Sequence, residues 1–283
     1  MTGSPTLEAR WARVADPDAP ATRLAEGALL IAHHEYPDLD IDAWLGRLQD
    51  MADTLRRRLR DDITPPETIL ALNRYLFDEL AFSGNGTDYY DPRNSYLNDV
   101  IERRLGIPIS LAVLYIDVGR RLGLPLEGVS FPSHFLVKCA LRTGVVMLDP
   151  FAHGASLDAD ELRRRLSIVA GGRPHGESAL LQSMLQSAST PEILARMLRN
   201  LQAIHLHRAD LAQALWAADR IVHLLPHAPA AVRERGKIYL QLECFRAALA
   251  DFRNYAALAP EAAAAEDIRD TIAELQQRAS RLN

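Results

Sequence analysis

The stretch GIPISLAVLYIDVGRRLG, Gly106–Gly123, decides how the rest of the chain is read. It reads as a turn followed by a buried helix, with Gly106 and Pro108 placing Ser110 in the helix's first turn. There the unpaired backbone amides and the positive dipole end favour negative charge. Two short strand regions follow, FPSHF and VVMLDPF, carrying His134 and Asp149. A hydroxyl at a helix start, a histidine in one strand and an aspartate ending the next is the order of a nucleophile, its base and the group that orients the base. Each residue also has an ordinary reading. Ser110 suits a helix cap, His134 a core histidine between Phe131 and Phe135, and Asp149 the turn before Pro150. No strained GxSxG elbow accompanies the serine.

Working outward toward the N-terminus, the pattern is helical. LAEGALLIAHHEY has Leu24, Ala28 and Ile31 at helical spacing and stops at Pro37. DIDAWLGRLQDMADTLRRRL follows with Trp44, Leu48, Met51 and Leu55 on one face. PPETILALNRYLFDEL carries Pro65 and Pro66 near its start and an Ile69, Leu72, Tyr75, Leu76 stripe. A Gly/Asn/Asp-rich loop then turns helical from about Ser95, with Ser95 and Asn98 placed to cap it or to hold neighbouring loops by hydrogen bonds. After Gly123 the period shortens. LEGVSFPSHFLVKCA and TGVVMLDPF, separated by LRTG, read as a hairpin, and LDADELRRRL as another helix. The glycines and proline of SIVAGGRPHGESALLQSML break the pattern and mark the junction between halves.

From about Pro191 the chain reads as helix throughout, and it repeats at an offset of 34. Arg199 meets Arg233, Leu206 meets Leu240, Ala214–Leu215 meet Ala248–Leu249, and Pro226 meets Pro260. That is the tetratricopeptide period, in which a small residue lets two helices approach and a proline ends the second. Gly236, Tyr239, Ala248, Phe252 and Pro260 make the second copy the clearer; Gln202 and His205 make the first degenerate.

The chain of 283 residues has 32 basic and 37 acidic side chains, a formal charge of −5, which argues against a general nucleic-acid surface. The RRRLR run at Arg56–Arg60 reads as the positive end of a helix. Cys139 and Cys244 form no CxxC or Cys/His spacing, so neither a disulfide framework nor a thiolate metal site is expected, and both read as small core fillers. No apolar run is long enough to span a bilayer and the N-terminus lacks a signal-type segment, so a cytoplasmic protein without membrane insertion is expected.

The block NSYLNDVIERRLGIPISLAVLY, with the flanking LNRYLFDEL, FPSHFLVKC and MLDPF, resembles the SirB-type family from about Leu24 to Pro260. The resemblance implies an α+β fold. A transglutaminase-like core of the papain-like superfamily, with a helical N-terminal part, occupies 1–175, and an all-α tetratricopeptide-type array occupies 190–283. Such cores carry a cysteine at the start of the central helix, a histidine on the next strand and an aspartate on the one after. By that pattern Ser110 stands in the cysteine position, His134 in the histidine position and Asp149 in the aspartate position. A thiol near pKa 8.5 becomes a thiolate beside an imidazolium; a hydroxyl depends on a general base. Ser133 stands where the family often has glycine, and His153 where a small or polar loop residue is common.

The implied function is a noncatalytic or weakly catalytic interaction and regulatory module, a pseudoenzyme that engages a protein or peptide partner. No cofactor, metal or direct nucleic-acid contact is expected. The alternative is a serine-dependent amide hydrolase or acyl transferase using Ser110, His134 and Asp149, with Asn98 or backbone amides stabilising the oxyanion.

Overall fold

The computed structural model describes residues 5–16, 23–142, 144–169, 172, 177–265 and 268–280. They belong to two compact units, Met1–Ile193 and Leu194–Asn283.

The first unit opens with helices α1 (Leu7–Ala15), α2 (Leu24–Glu35) and α3 (Ile41–Arg56). Every residue of α2 from Leu24 to Ala32 is buried, including Glu26. That carboxylate is tolerated because Arg10, Arg13 and Arg23 reach it at 3.1–3.3 Å. α4 (Pro65–Asn73) starts with a reciprocal capping box between Thr64 and Glu67 and has Pro65 at its first position. The stripe Ile69, Leu72, Tyr75 and Leu76 is buried as its spacing requires. The helix does not run on regularly, however: Arg74–Glu79 is wound as a π-helical turn.

The loop after it holds a two-stranded parallel pair, β1 (Ser83–Gly84) with β2 (Leu105–Gly106), around α5 (Leu97–Arg103). Tyr96 occupies the N-cap of α5 and makes no side-chain cap bond there. The expected caps do not cap: Ser95 Oγ and Asn98 Oδ1 are buried with no hydrogen-bond partner among the described residues. A short 3-10 turn, Pro92–Asn94, precedes Ser95 instead.

α6 (Pro108–Arg121) is the predicted central helix, and it is buried all round from Pro108 to Gly119. It packs on a five-stranded antiparallel sheet of β3 (Leu126–Val129), β4 (Leu136–Leu141), β5 (Gly144–Asp149), β6 (Ala155–Leu157) and β7 (Ser187–Ala188), in the order β6-β5-β4-β3-β7. The β4–β5 hairpin pairs Leu141 with Gly144 and Val137 with Leu148. α7 (Ala159–Val169) and α8 (Glu177–Met184) add Leu162, Leu166 and Leu181 to Val129, Leu136 and Met147. The break at SIVAGGRPHG lies mostly outside the described residues, while ESALLQSM beyond it is helical.

The second unit is helical: α9 (Thr190–His207) from Leu194 onward, α10 (Leu211–Leu224), α11 (Pro229–Gln241), α12 (Phe245–Leu258), α13 (Pro260–Ala265) and α14 (Ile268–Ser280). The 34-residue period is visible in the backbone. Ala209 and Glu243 both have φ +56°, and Asp210 and Cys244 both stand at the N-cap of the next helix, Asp210 alone making a side-chain cap bond. A Cβ at Gly236 would lie 3.2 Å from the Cβ of Asp251, which is the close helix approach that a small residue permits. Arg235 ties α11 to its neighbours, reaching Asp251 at 2.7 and 2.8 Å and Asp219 at 3.1 Å. Cys139 is buried on β4 as expected, but Cys244 is not a core filler. It is exposed, because its place is the N-cap between two packed helices.

Candidate functional site

Three chain segments carry the residues of the candidate triad: the N-terminus of α6, the turn before β4, and the end of β5. Asp149 is the last residue of β5 and caps a 3-10 turn, Pro150–Ala152, accepting from the backbone N–H of Phe151 at 3.1 Å and of Ala152 at 3.3 Å. His134 is not on a strand, as the apolar FPSHF run suggested. It stands in the turn ahead of β4, because Pro132 has no N–H to pair and Ser133 takes a left-handed backbone with φ +55°. From there its Nε2 still reaches Asp149 Oδ1 at 2.8 Å. Arg165 on α7 reaches the other oxygen, Oδ2, at 2.9 Å.

Asp149 is 1% exposed. Burial by itself would raise its pKa, but the bonds and charges of His134 and Arg165 outweigh that and hold it below the ordinary carboxylate range. The group is therefore a carboxylate, and Nε2 of His134 carries the proton it donates. The His134 ring meets the Phe151 ring edge-on with centroids 5.9 Å apart. Phe151 in turn lies over β1, where a Cβ on Gly84 would come within 2.3 Å of it.

Ser110 is built into a different set of bonds. Its hydroxyl is 0% exposed. It accepts from the N–H of Ile107, the N-cap residue of α6, at 3.0 Å and donates to the carbonyl of Asn94 at 2.6 Å. It thereby satisfies one orphan amide of the helix and fastens the Pro92–Asn94 turn to it. A Cβ on Gly106 would lie 2.8 Å from this hydroxyl, so the site is closely packed. The fold thus brings His134 and Asp149 together and leaves the Ser110 hydroxyl on the backbone of Asn94 and Ile107. Asn98, the second residue of α5, is buried, with Oδ1 unpartnered among the described residues.

His153, at the family's small-residue position, has φ +55° and stacks on Phe77 at 5.5 Å rather than joining His134. Among the described residues, no three His, Cys, Asp or Glu side chains group as a metal would need. The arginines expected as a helix end are engaged locally: Arg56 with Asp53, Arg58 with Glu79 at 2.6 Å, and Arg60 with Glu67 at 3.3 Å. No helix among the described residues is long and apolar enough to cross a membrane.

Arg165 escaped the sequence reading because it is one of three consecutive arginines in DELRRRL. The signal was its phase, since it lies three residues after the buried Leu162 and so faces the sheet. The partner of Ser110 left no signal, because it is a main-chain carbonyl.

The transglutaminase-like superfamily profile matches residues 42–199, and a tetratricopeptide-repeat profile matches 201–273. A UPF0162 protein of Xylella fastidiosa (strain Temecula1) is 44% identical over 94% of this chain and 94% of its own length. A UPF0162 protein of Vibrio cholerae is 32% identical over 91% of this chain and 94% of its own. Human F-box only protein 21 is 43% identical over 99 residues, 32% of this chain and 16% of that protein. No solved structure matches. A transglutaminase-like core joined to tetratricopeptide repeats is the build of an interaction or regulatory module. The chain belongs to the UPF0162 family, SirB-type proteins in which a transglutaminase-like domain is followed by tetratricopeptide repeats.

Proposed function

We infer that the protein is a noncatalytic member of this superfamily, a pseudoenzyme whose core and repeats serve to hold a protein or peptide partner. The observation that carries this reading is the Ser110 hydroxyl. A nucleophilic serine needs its proton aimed at a base and its oxygen open to substrate. Here the proton goes to a main-chain carbonyl at 2.6 Å and the oxygen is sealed from solvent. Serine in the cysteine position then acts as a helix fastener, and the thiolate–imidazolium chemistry of that position is gone. The repeats supply helical surface of the kind that captures peptides.

The intact His134–Asp149 bond favours a second reading, a serine-dependent amide hydrolase or acyl transferase with His134 as base, Asp149 as orienter and Asn98 as oxyanion support. That reading requires Ser110 to leave two hydrogen bonds before attack, leaving buried partners unpaired at about 1–3 kcal/mol each. Incubation with a fluorophosphonate probe separates the two. The noncatalytic reading expects no adduct on the folded chain, and it expects Ser110→Ala to lose about 1–3 kcal/mol of stability in urea. A stoichiometric adduct on Ser110, lost in both Ser110→Ala and His134→Ala, overturns it.

A further inference from the structure

The loop between β1 and the Pro92–Asn94 turn is held from the inside by two buried amides. Asn85 Nδ2 donates to Asn94 Oδ1 at 3.1 Å. Asn85 Oδ1 accepts from the Thr87 hydroxyl and from the N–H of Asp88, each at 3.1 Å. Asn94 Nδ2 donates to the carbonyls of Asp88 at 2.7 Å and Tyr89 at 3.3 Å. The base of the loop is tied down as well. The N–H of Asn85 donates to the Gly106 carbonyl at 2.9 Å, and the Asn94 carbonyl takes the Ser110 proton at 2.6 Å. Side-chain amides thus do for residues 85–94 what a ladder does for a strand.

What this scaffold carries faces solvent. Tyr89 is 42% exposed and Tyr90 74%, and no other Phe, Tyr or Trp among the described residues is so open. Their rings meet edge to face, with centroids 5.5 Å apart and planes at 79°. Large aromatic side chains held in a fixed arrangement and left in water are the usual anchors of protein interfaces.

The charges of the loop specify the occupant. Asp88, next to the two tyrosines in the chain, is exposed, and its carboxylate makes no hydrogen bond or ion pair among the described residues. The other charges there answer one another. Asp91 is shared by Arg93 at 2.9 Å and Arg103 at 3.1 Å, and Asp99 feels both arginines. Two arginines face two carboxylates, and Asp88 is left over. Aromatic faces beside an unpaired carboxylate are complementary to a cation. A guanidinium fits better than an ammonium, because its plane stacks on a ring while its fork meets a carboxylate.

We propose that the tip of this loop, residues 88–90, docks a partner protein by taking one of its arginines against the Tyr90 ring and the Asp88 carboxylate. The proposal rests on the reading of the protein as a module that holds a partner, and it supplies a contact for that module. It also gives the serine in the cysteine position a task. The bond from Ser110 to Asn94 keeps the loop in its binding shape before the partner arrives, so less ordering is lost on association.

The test is selection of phage-displayed random peptides on the intact chain, followed by anisotropy titration of the synthetic winners. The enriched sequences are expected to carry arginine, and exchange of that arginine for glutamine removes their binding. Tyr90→Ser weakens binding roughly tenfold or more, whereas Tyr90→Phe, which keeps the ring face, stays within about twofold. Asp88→Asn weakens it severalfold, and more at low salt than at high salt. Both positions are exposed, and unchanged urea midpoints confirm that the variants fold. The fluorophosphonate result bears on Ser110 alone, so the noncatalytic reading and this contact fail separately. The proposal is overturned by no enrichment over a blank surface, by winners that lack arginine, or by winners that bind Tyr90→Ser as tightly as the parent.

Discussion

Ser133 and His153 flank the two ends of the His134–Asp149 bond, and each holds a left-handed backbone that side chains other than glycine adopt at roughly 1 kcal/mol. Ser133→Val, with a branched Cβ in that region, is expected to cost about 2 kcal/mol in urea denaturation. Ser133→Gly is expected to fall within about 0.5 kcal/mol of the parent, because relief of strain is offset by the freedom glycine gains when unfolded. Gly154 allows no such exchange. Its φ is +74° and a Cβ would lie 2.1 Å from Asn73 Oδ1, so Gly154→Ala should lose about 2–4 kcal/mol and break the Asn73 bonds. Asp149 makes stability depend on acid. Its folded pKa lies below the unfolded value of about 3.9, so its contribution is complete above about pH 4 and is lost as pH falls through the depressed folded value. Urea midpoints measured from about pH 6 downward should fall less steeply for Asp149→Asn than for the parent.

At the scale of elements, legibility followed the origin of each element's stability. α4 could be read from Pro65 and its apolar stripe, and its capping box predicts that Thr64→Ala costs about 1 kcal/mol by the same denaturation assay. The π-turn after it could not be read. RYLFDE has nothing unusual in it; the extra residue per turn goes with the placement of Phe77 between Tyr115 and His153, with stacking distances of 6.1 and 5.5 Å. The β4–β5 hairpin was legible from alternation about LRTG. β7 was not, since it is only two residues, Ser187 and Ala188, joined to β3 by main-chain pairing and by the Ser187 hydroxyl on Glu127. His134 was drawn into a strand by its aromatic neighbours, and Pro132 together with the turn at Ser133 kept it out. In the candidate site, side-chain partners at helical or strand phase could be found from the sequence, whereas the Asn94 carbonyl that takes the Ser110 proton could not.

Across the whole molecule the acid response has two signs. Asp117 in α6 and Asp99 in α5 are raised above the usual carboxylate range, chiefly by burial, despite Arg121 at 2.6 Å from Asp117 and the Tyr36 hydroxyl at 2.7 Å from Asp99. A raised folded pKa contributes stability that is complete below about pH 3.9 and is lost as pH rises through the folded value. The stability difference between the parent and Asp117→Asn should therefore move in favour of Asn as pH rises from about 4 to 7, opposite in slope to Asp149→Asn. The repeats were the most legible part of the chain, because Arg199, Leu206, Ala214, Leu215 and Pro226 recur at a step of 34 even though the first copy is degenerate at Gln202 and His205. The joints restate the backbone too. The chain leaves α10 through Leu225 at φ −131°, ψ 67° and leaves α12 through Ala259 at φ −142°, ψ 67°, each time into a proline. The two exits share their backbone angles, although three residues lead from Leu225 to α11 and none from Ala259 to α13. The seams differ too: Arg235 reaches Asp219 on α10 at 3.1 Å, whereas the residue 34 positions after Asp219 is Arg253, so a duplicate of residues 226–259 spliced between Ala259 and Pro260 would set two arginines against each other until position 253 is made acidic.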